Sequence, residues 1–474
     1  MRDIIVSLFI LASLPICYRR PFFGLLMFTL LAYMRVQDLT WGFARVQRWS
    51  YYVAIITIAG FLVARENRQF MVSNLRTWLM ITLVLLVGGS MLGSEYLKPR
   101  DFEVFLEYGK IIGVALFTTG VVRTRDHLRI LLWVIALSFG FYGVKNGLAF
   151  IISGGGLVII QGPGGMLSDN NDFALALCMG IPMLLHLALP EKSTLVRRAT
   201  LAIIPLMVMT IVATHSRGAF LALGVTTILL VWRSPNRVAG FALLFFLGIA
   251  GVLAAPKSYK ERIGSIGSYE EDASARGRIE AWKVAGNMIV ANPFLGVGYA
   301  KFQYNYKNYD PKAFTYNEGT GDQAGTRVAH NSYLQIWAEC GTPAFFIYLS
   351  LIGLSFFDLW GVRREAKKRY HSSWILSYCT MFEASLLAFV VGSVFLNRAQ
   401  FDLFYHFVAL IVVFGRVARE SMAESPSIDS GSASRSQLQH VRPRGFGSRP
   451  EPGGFDRAPR AGGFDKGTAF GSSS

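Results

Sequence analysis

Charge is what this sequence has least of. Asp, Glu, Lys and Arg make up 16% of the 474 residues, where a soluble domain carries about a quarter. That shortage excludes an ordinary water-facing globule. Cysteine is scarce as well. Cys17, Cys178, Cys340 and Cys379 all lie inside or at the ends of apolar runs and form no CxxC pair, so neither a disulfide framework nor a zinc site is legible. Acidic residues are outnumbered 47 to 30 by Lys and Arg, for a net charge of +17. In a soluble chain this excess would suggest nucleic acid. Here the basic residues fall in short connections between apolar blocks, so their reading is topological and no nucleic-acid partner is expected.

What the sequence has in abundance is apolar length. Hydrophobic residues account for 52% of it, at a mean hydropathy of +0.39. They cluster in blocks of about 15 to 25 residues, the length that crosses a hydrocarbon core of about 30 Å. Residues 4–17, 21–34, 50–64, 77–92, 104–122, 128–150, 173–189, 198–214, 217–233, 238–254, 332–360, 373–396 and 401–418 form such blocks. Tyr18 to Pro21 split the first two, as a tight hairpin or as one broken helix. The N-terminus lacks a small-x-small cleavage site before its arginines, which reads as an uncleaved first membrane segment. The expected fold is an all-α polytopic membrane protein of about 12 or 13 transmembrane helices.

Arg65/Arg68/Arg76, Arg123/Arg125/Arg129, Lys192/Arg197/Arg198, Arg233/Arg237 and VRREAKKRYH at 362–371 occupy every second connection. The positive-inside rule assigns these to the cytoplasm. The glycine-rich SGGGLVIIQGPGGMLSDNND, the tight THS, the long 255–331 loop and LNRAQ then face the exterior. Four regions follow: N-terminal membrane helices (1–254), an exterior loop (255–331), C-terminal membrane helices (332–420) and a tail (421–474). The loop contains SARGRIEAWKVAGNMIVANPFLGVG, with Ile279, Trp282, Ala285, Met288 and Ile289 at helical spacing and Asn292-Pro293 as a stop. This is an amphipathic helix, lying on the membrane surface or packed on the bundle. The Gly, Ser, Pro and Arg of the tail, with GGFD at 453 and 462, predict disorder.

Four exterior elements carry candidate chemistry. THSRGAF puts Arg217 at a helix start, as an anchor at the interface or as an anion ligand. ARGRIEAW puts Arg276 and Arg278 near the first turn of the loop helix, where they either cradle a diphosphate or pair with Glu270, Glu271 and Asp272. VAHNSYLQIWAECG places Asn331, Gln335 and Glu339 at i, i+4, i+8, a stripe that must face protein or a wet cavity. Gln335 and Glu339 read as interhelical glue, with catalysis or, for Glu339, substrate contact as the alternative. His330 stands at the water interface near a helix N-terminus, which favours a neutral imidazole able to accept a proton. LSDNNDFALAL offers Asp169, Asn170, Asn171 and Asp172 as helix caps, with sugar or phosphate contact as the alternative. No spacing of His or carboxylates supports a metal.

THSRGAFLAL, RGRIEAWKVAGNMIVANPFLGVGYAKF and HNSYLQIWAECGTPAFFIYL, in this order around the long loop, resemble the O-antigen ligase and polymerase superfamily. The N-terminal MRDIIVSLFILASLPICYRRPFFGLLMF and YMRVQDLTWGFA look like its exosortase-associated branch. The resemblance implies a GT-C-like fold in the bacterial inner membrane with the active site facing the periplasm. It implies no cofactor or metal, a glycan donor on undecaprenyl diphosphate, and as acceptor a hydroxyl of lipid A-core, a growing polymer or a protein. It places the essential residues on Arg217, Arg278 (with Arg276 as a rival) and His330, and sugar contacts on Asn331, Trp282 and Tyr299. His215 is a departure that adds a second imidazole. A secondary transporter or flippase is the reading from another class, with Glu107, Lys110 and Glu383 as a relay; the sequence has no internal repeat to support it.

Overall fold

A computed structural model describes residues 1–63, 69–254, 273–310, 327–370 and 373–424. The tail from 425, with its GGFD repeats, and residues 255–272 of the long loop lie outside the described residues.

The first break in the sequence is a hairpin. Arg20 leaves the helical conformation (φ −128°) and Pro21 opens the second helix, so α1 (Arg2–Arg19) and α2 (Pro21–Tyr33) are separate. The Asp3 carboxylate accepts N–H groups of Gly42 and Ala44 at 3.0 and 3.1 Å, beside a short α3 (Phe43–Val46). Leu31, at the same open end of the hairpin, packs with Trp49 and Val53 of α4 (Trp49–Val63). Further along α4, Gly60 abuts the Tyr18 carbonyl and Thr57 abuts Gly24. Therefore α1 and α2 run antiparallel, with α4 laid along both.

The bundle continues with α5 (Leu75–Leu92), α6 (Pro99–Val121), α7 (Arg125–Ile152), α8 (Asn170–Ala188), α9 (Thr194–Ala213), α10 (Arg217–Arg233) and α11 (Arg237–Ala254). Beyond the undescribed stretch come α12 (Ala273–Ala291), α13 (Phe302–Tyr309), α14 (Ser332–Glu365), α15 (Ser373–Gly392) and α16 (Asp402–Glu424). Among the described residues seven helices are long and apolar enough to cross a membrane, while Pro21–Tyr33 and Trp49–Val63 are shorter apolar helices. The chain is an all-α polytopic membrane protein. The strands among the described residues form a small antiparallel hairpin, β1 (Gln161–Gly164) and β2 (Leu167–Asp169), inside the glycine-rich connection.

Burial sorts the helices. Every residue of α16 from Leu403 to Gly415 is buried, as is nearly all of α8, so these two form the centre. α1 and α10 keep Ile4, Leu8, Phe9, Phe220, Ile228 and Trp232 exposed, which suits contact with lipid.

The apolar block at 332–360 is not one straight helix. Gly341 breaks α14 with φ +80°, and the reason lies in the sequence Glu339-Cys340-Gly341-Thr342-Pro343. Pro343 has no N–H to offer the Glu339 carbonyl, which accepts instead from Gly298 N–H at 3.0 Å and Ser90 Oγ at 2.6 Å. The Ala338 carbonyl takes the Val297 N–H at 2.9 Å, and Thr342 N–H turns outward to the Pro293 carbonyl at 2.8 Å. The segment Asn292–Gly298 is thus hydrogen-bonded onto the break. This bond set fixes the end of α12 against α14.

A second set of ion pairs lies at the opposite end from this junction. Arg76 and Arg419 share Asp358, Arg129 meets Glu191, and Arg363 grips Glu383 through two bonds of 3.0 and 2.9 Å with Arg233 at 3.1 Å. Glu383 is a structural counter-ion here. Glu383→Ala is expected to strand Arg363, which is 10% exposed, at a cost of roughly 3–5 kcal/mol. Thermal unfolding of the detergent-solubilised variant measures this, and an unchanged midpoint would rule out the structural role.

Candidate functional site

A cavity of about 1220 Å³ opens where the connection before α8, the approach to α14 and residues 396–400 converge. Its rim is built from three chain segments. The first is the turn into α8, where Asp169 caps the helix by accepting the N–H groups of Asn171 and Asp172 at 2.8 and 3.4 Å. Asn170 Nδ2 reaches the Thr214 carbonyl at 2.9 Å and fastens this turn to the THS turn. There His215 takes a left-handed φ of +54° and Ser216 caps α10.

The second segment is the approach to α14. Arg327 pairs with Glu280 at 2.6 Å, and Trp282 Nε1 donates to the Ala329 carbonyl at 2.9 Å, so the strand before His330 is clamped to α12. Asn331 then caps α14 by accepting two backbone N–H groups, each at 3.0 Å. His330, between these anchors, has φ +46°. Left-handed backbone at a non-glycine residue persists only where its surroundings hold it.

The third segment is residues 396–400. Ser332 Oγ donates to the Leu396 carbonyl at 2.9 Å and accepts the Arg398 N–H at 3.1 Å, tying the segment to α14. The Arg398 guanidinium meets the buried Asp172 at 2.5 Å.

Partial removal from water pushes the His330 imidazole below its ordinary pKa. The Arg278 charge lowers it further, and Asp169 opposes both. The ring is therefore neutral near pH 7 and free to accept a proton. Asp169→Asn, which retains a capping side chain, is expected to lower the His330 pKa, and Arg278→Gln to raise it. Opposite displacements of the acidic limb of the pH–activity profile would report this; displacements in one direction would contradict the assigned charges.

Arg278 lies near enough for its charge to act on His330, and His330, Asn171, Tyr299 and Glu339 all line the cavity. Asn171 Nδ2 is held by Asp169 and Asn170, both at 3.0 Å. Tyr299 is 3% exposed and sits at the inner end, its phenol pKa raised by burial. Glu339 accepts the Phe302 N–H at 3.2 Å and faces Gln335 Nε2 at 3.3 Å, while Gln335 Oε1 accepts from Ala399. Both side chains are engaged in holding helix to loop. Arg217, Arg278, Asn331 and Trp282 are not among the cavity-lining residues. Arg217 stands exposed at the start of α10 beside the Asn170-bound turn, and Asn331 and Trp282 act on backbone. α12 buries Ala281, Val284, Ala285 and Met288 against Phe302, Tyr306 and Ala338, so it packs on the bundle, and Ile279 of the predicted stripe faces outward. Of Arg276 only the helical backbone is described; the acidic cluster 270–272 lies outside the described residues.

The sequence reading passed over Arg398. It is a lone arginine in a connection that the charge pattern predicts to face the exterior, the same signal that singled out Arg217. Arg35 was missed for a different reason: its role depends on a left-handed backbone (φ +49°) and an ion pair with Asp38 against Gly164 and Gly165.

Residues 202–349, which carry the THS turn, α12 and the His330 approach, match the family described as O-antigen ligase. This segment is an O-antigen ligase domain of the O-antigen ligase/polymerase superfamily. Residues 1–192 match a second family, described as a family of unknown function (DUF5935). No functionally curated protein matches the chain. The ligase-family segment thus supplies His330 and Arg278, while the cavity facing them is built in large part from the N-terminal family.

Proposed function

We propose that this superfamily member is an inverting membrane glycosyltransferase of the O-antigen ligase type. It would move a glycan from undecaprenyl diphosphate to a hydroxyl of lipid A-core on the periplasmic side of the inner membrane. The observation that carries this reading is His330, within range of the Arg278 charge, at the rim of a cavity with both polar and apolar walls.

The acceptor oxygen attacks the anomeric carbon as the bond to the diphosphate oxygen breaks, and undecaprenyl diphosphate departs with both electrons of that bond. His330 takes the acceptor proton, a contribution of about 10² to 10⁴ in rate. Arg278 and Arg217 offset the charge growing on the leaving group; one such donor is commonly worth about 10² to 10³. Arg276 is the rival to Arg278 for this role. Trp282 and Asn331 hold the backbone on either side of His330, and Asn171 and Tyr299 line the space for the sugar.

The test is a deletion strain. Bare core with accumulated lipid-linked polymer supports ligation. Core capped by single repeats would assign the chain to polymerisation instead, and unchanged lipopolysaccharide with an unmodified protein would point to a protein acceptor.

A further inference from the structure

At the end of the bundle opposite the cavity rim, one carboxylate serves two guanidinium groups. Asp358 of α14 accepts Arg76 Nη2 of α5 on one oxygen at 2.5 Å, and its other oxygen accepts Arg419 Nη2 of α16. Gly415 permits this approach, because a side chain there would stand 2.7 Å from the Asp358 carboxylate and 3.1 Å from Arg419 Nη1. The cluster carries one positive charge in excess. Arg416 does not add to it, since its own partners are Glu420 at 3.9 Å and the Val122 carbonyl at 2.6 Å.

The excess charge has an unmet donor. Arg76 is 4% exposed, yet its Nη1 has no hydrogen-bond partner among the described residues. Buried polar groups nearly always have one, whether protein, water or ligand. Arg419 is 47% exposed, so the cluster opens to its surroundings on that side.

Those surroundings are amphipathic. Phe357 and Trp360 stand on either side of Asp358 in α14, both exposed, with ring centres 5.7 Å apart and the Arg364 guanidinium 5.5 Å over Trp360. Leu75 and Trp78 stand likewise on either side of Arg76 in α5, and both are exposed. Tryptophan near the end of an apolar helix marks the boundary between hydrocarbon and headgroups. The cluster therefore sits at headgroup level between apolar flanks.

We propose that Arg76, Asp358 and Arg419 form a binding site for the phosphate of an anionic phospholipid, whose acyl chains lie along the exposed faces of α5 and α14. The phosphodiester supplies the second anion that two guanidinium groups call for, and their planar forks fit its two free oxygens. A zwitterionic phospholipid fits less well, because its own ammonium offsets its phosphate. The bound lipid ties together the ends of α5, α14 and α16 that lie away from the Gly341 junction. The site is remote from the cavity and does not depend on the reaction proposed there.

Lipid titration of the detergent-solubilised full-length protein, read by native mass spectrometry, tests the site. Phosphatidylglycerol is expected to bind more tightly than phosphatidylcholine. Arg419→Ala removes an exposed cation and should weaken phosphatidylglycerol binding about fivefold. Asp358→Asn keeps an acceptor oxygen but removes the competing negative charge, and should tighten binding about fivefold. A purely structural ion-pair cluster would lose thermal stability in Asp358→Asn with no gain in lipid affinity. Arg198→Ala removes an exposed cation from α9 at the same end and should change nothing. Equal affinity for the two lipids, no tightening in a folded Asp358→Asn, or an equal loss in Arg198→Ala would overturn the proposal. So would full competition by glycerol 1-phosphate, which carries the headgroup charge without chains. If Asp358→Asn does not fold, the lipid comparison and Arg419→Ala decide.

Discussion

His330→Ala is expected to lower the transfer rate by about 10² to 10⁴, with little change in stability. The side chain is exposed at the rim and caps nothing; Asn331 closes the helix. Alanine also tolerates the left-handed φ of +46° no better than histidine does. The loss should therefore fall on the chemical step, as a reduced kcat at unchanged donor affinity. His330→Gln keeps a hydrogen-bonding group but cannot carry a proton at neutral pH. If it restored the rate, His330 would be an orienting group and the proton would have to leave by another route.

The second large effect is structural. Gly341→Ala would set a methyl 2.1 Å from the Phe294 carbonyl oxygen at a φ of +80°. The conformation alone costs about 1–3 kcal/mol at a non-glycine residue. The three backbone bonds of Asn292–Gly298 to the break in α14 would weaken with it, at about 1 kcal/mol each. Since that junction fixes α12 relative to α14, Arg278 would lose its place beside His330. A fall in the thermal unfolding midpoint together with lost transfer is expected. A variant as stable and active as the parent would mean that the docking of this segment on the Gly341 break does not position the site.

The sequence made some of this legible and hid the rest for physical reasons. Membrane crossings show because apolar length is a local property. The α12 helix and its stop at Asn292-Pro293 show for the same reason. The His330 and Arg278 pairing could be suspected from motifs, but not its anchoring, since the Trp282 to Ala329 and Arg327 to Glu280 contacts join residues 47 positions apart. The break at Gly341 was readable in principle from Gly-Thr-Pro, yet its meaning depends on which donors come to meet the freed carbonyls. The α1 and α2 hairpin could not be told from a broken helix, because Arg20-Pro21 permits both and only packing on α4 decides. Arg398 stayed hidden behind the low charge of its connection; its partner Asp172 is 226 residues away.

The transporter reading loses much of its footing in the structure. Glu383 is tied to Arg363 and Arg233 at the end of the bundle opposite the cavity rim, and Glu107 and Lys110 pair with each other on the flank. These three groups do not form a chain across the bundle.

The most direct measurement is transfer by the purified protein, given an undecaprenyl diphosphate glycan and an acceptor in detergent or sealed-vesicle-free nanodiscs. The account predicts transfer without any ion gradient, reduced by about 10² or more in Arg217→Ala, Arg278→Ala and His330→Ala. Normal transfer by both Arg217→Ala and His330→Ala would contradict it.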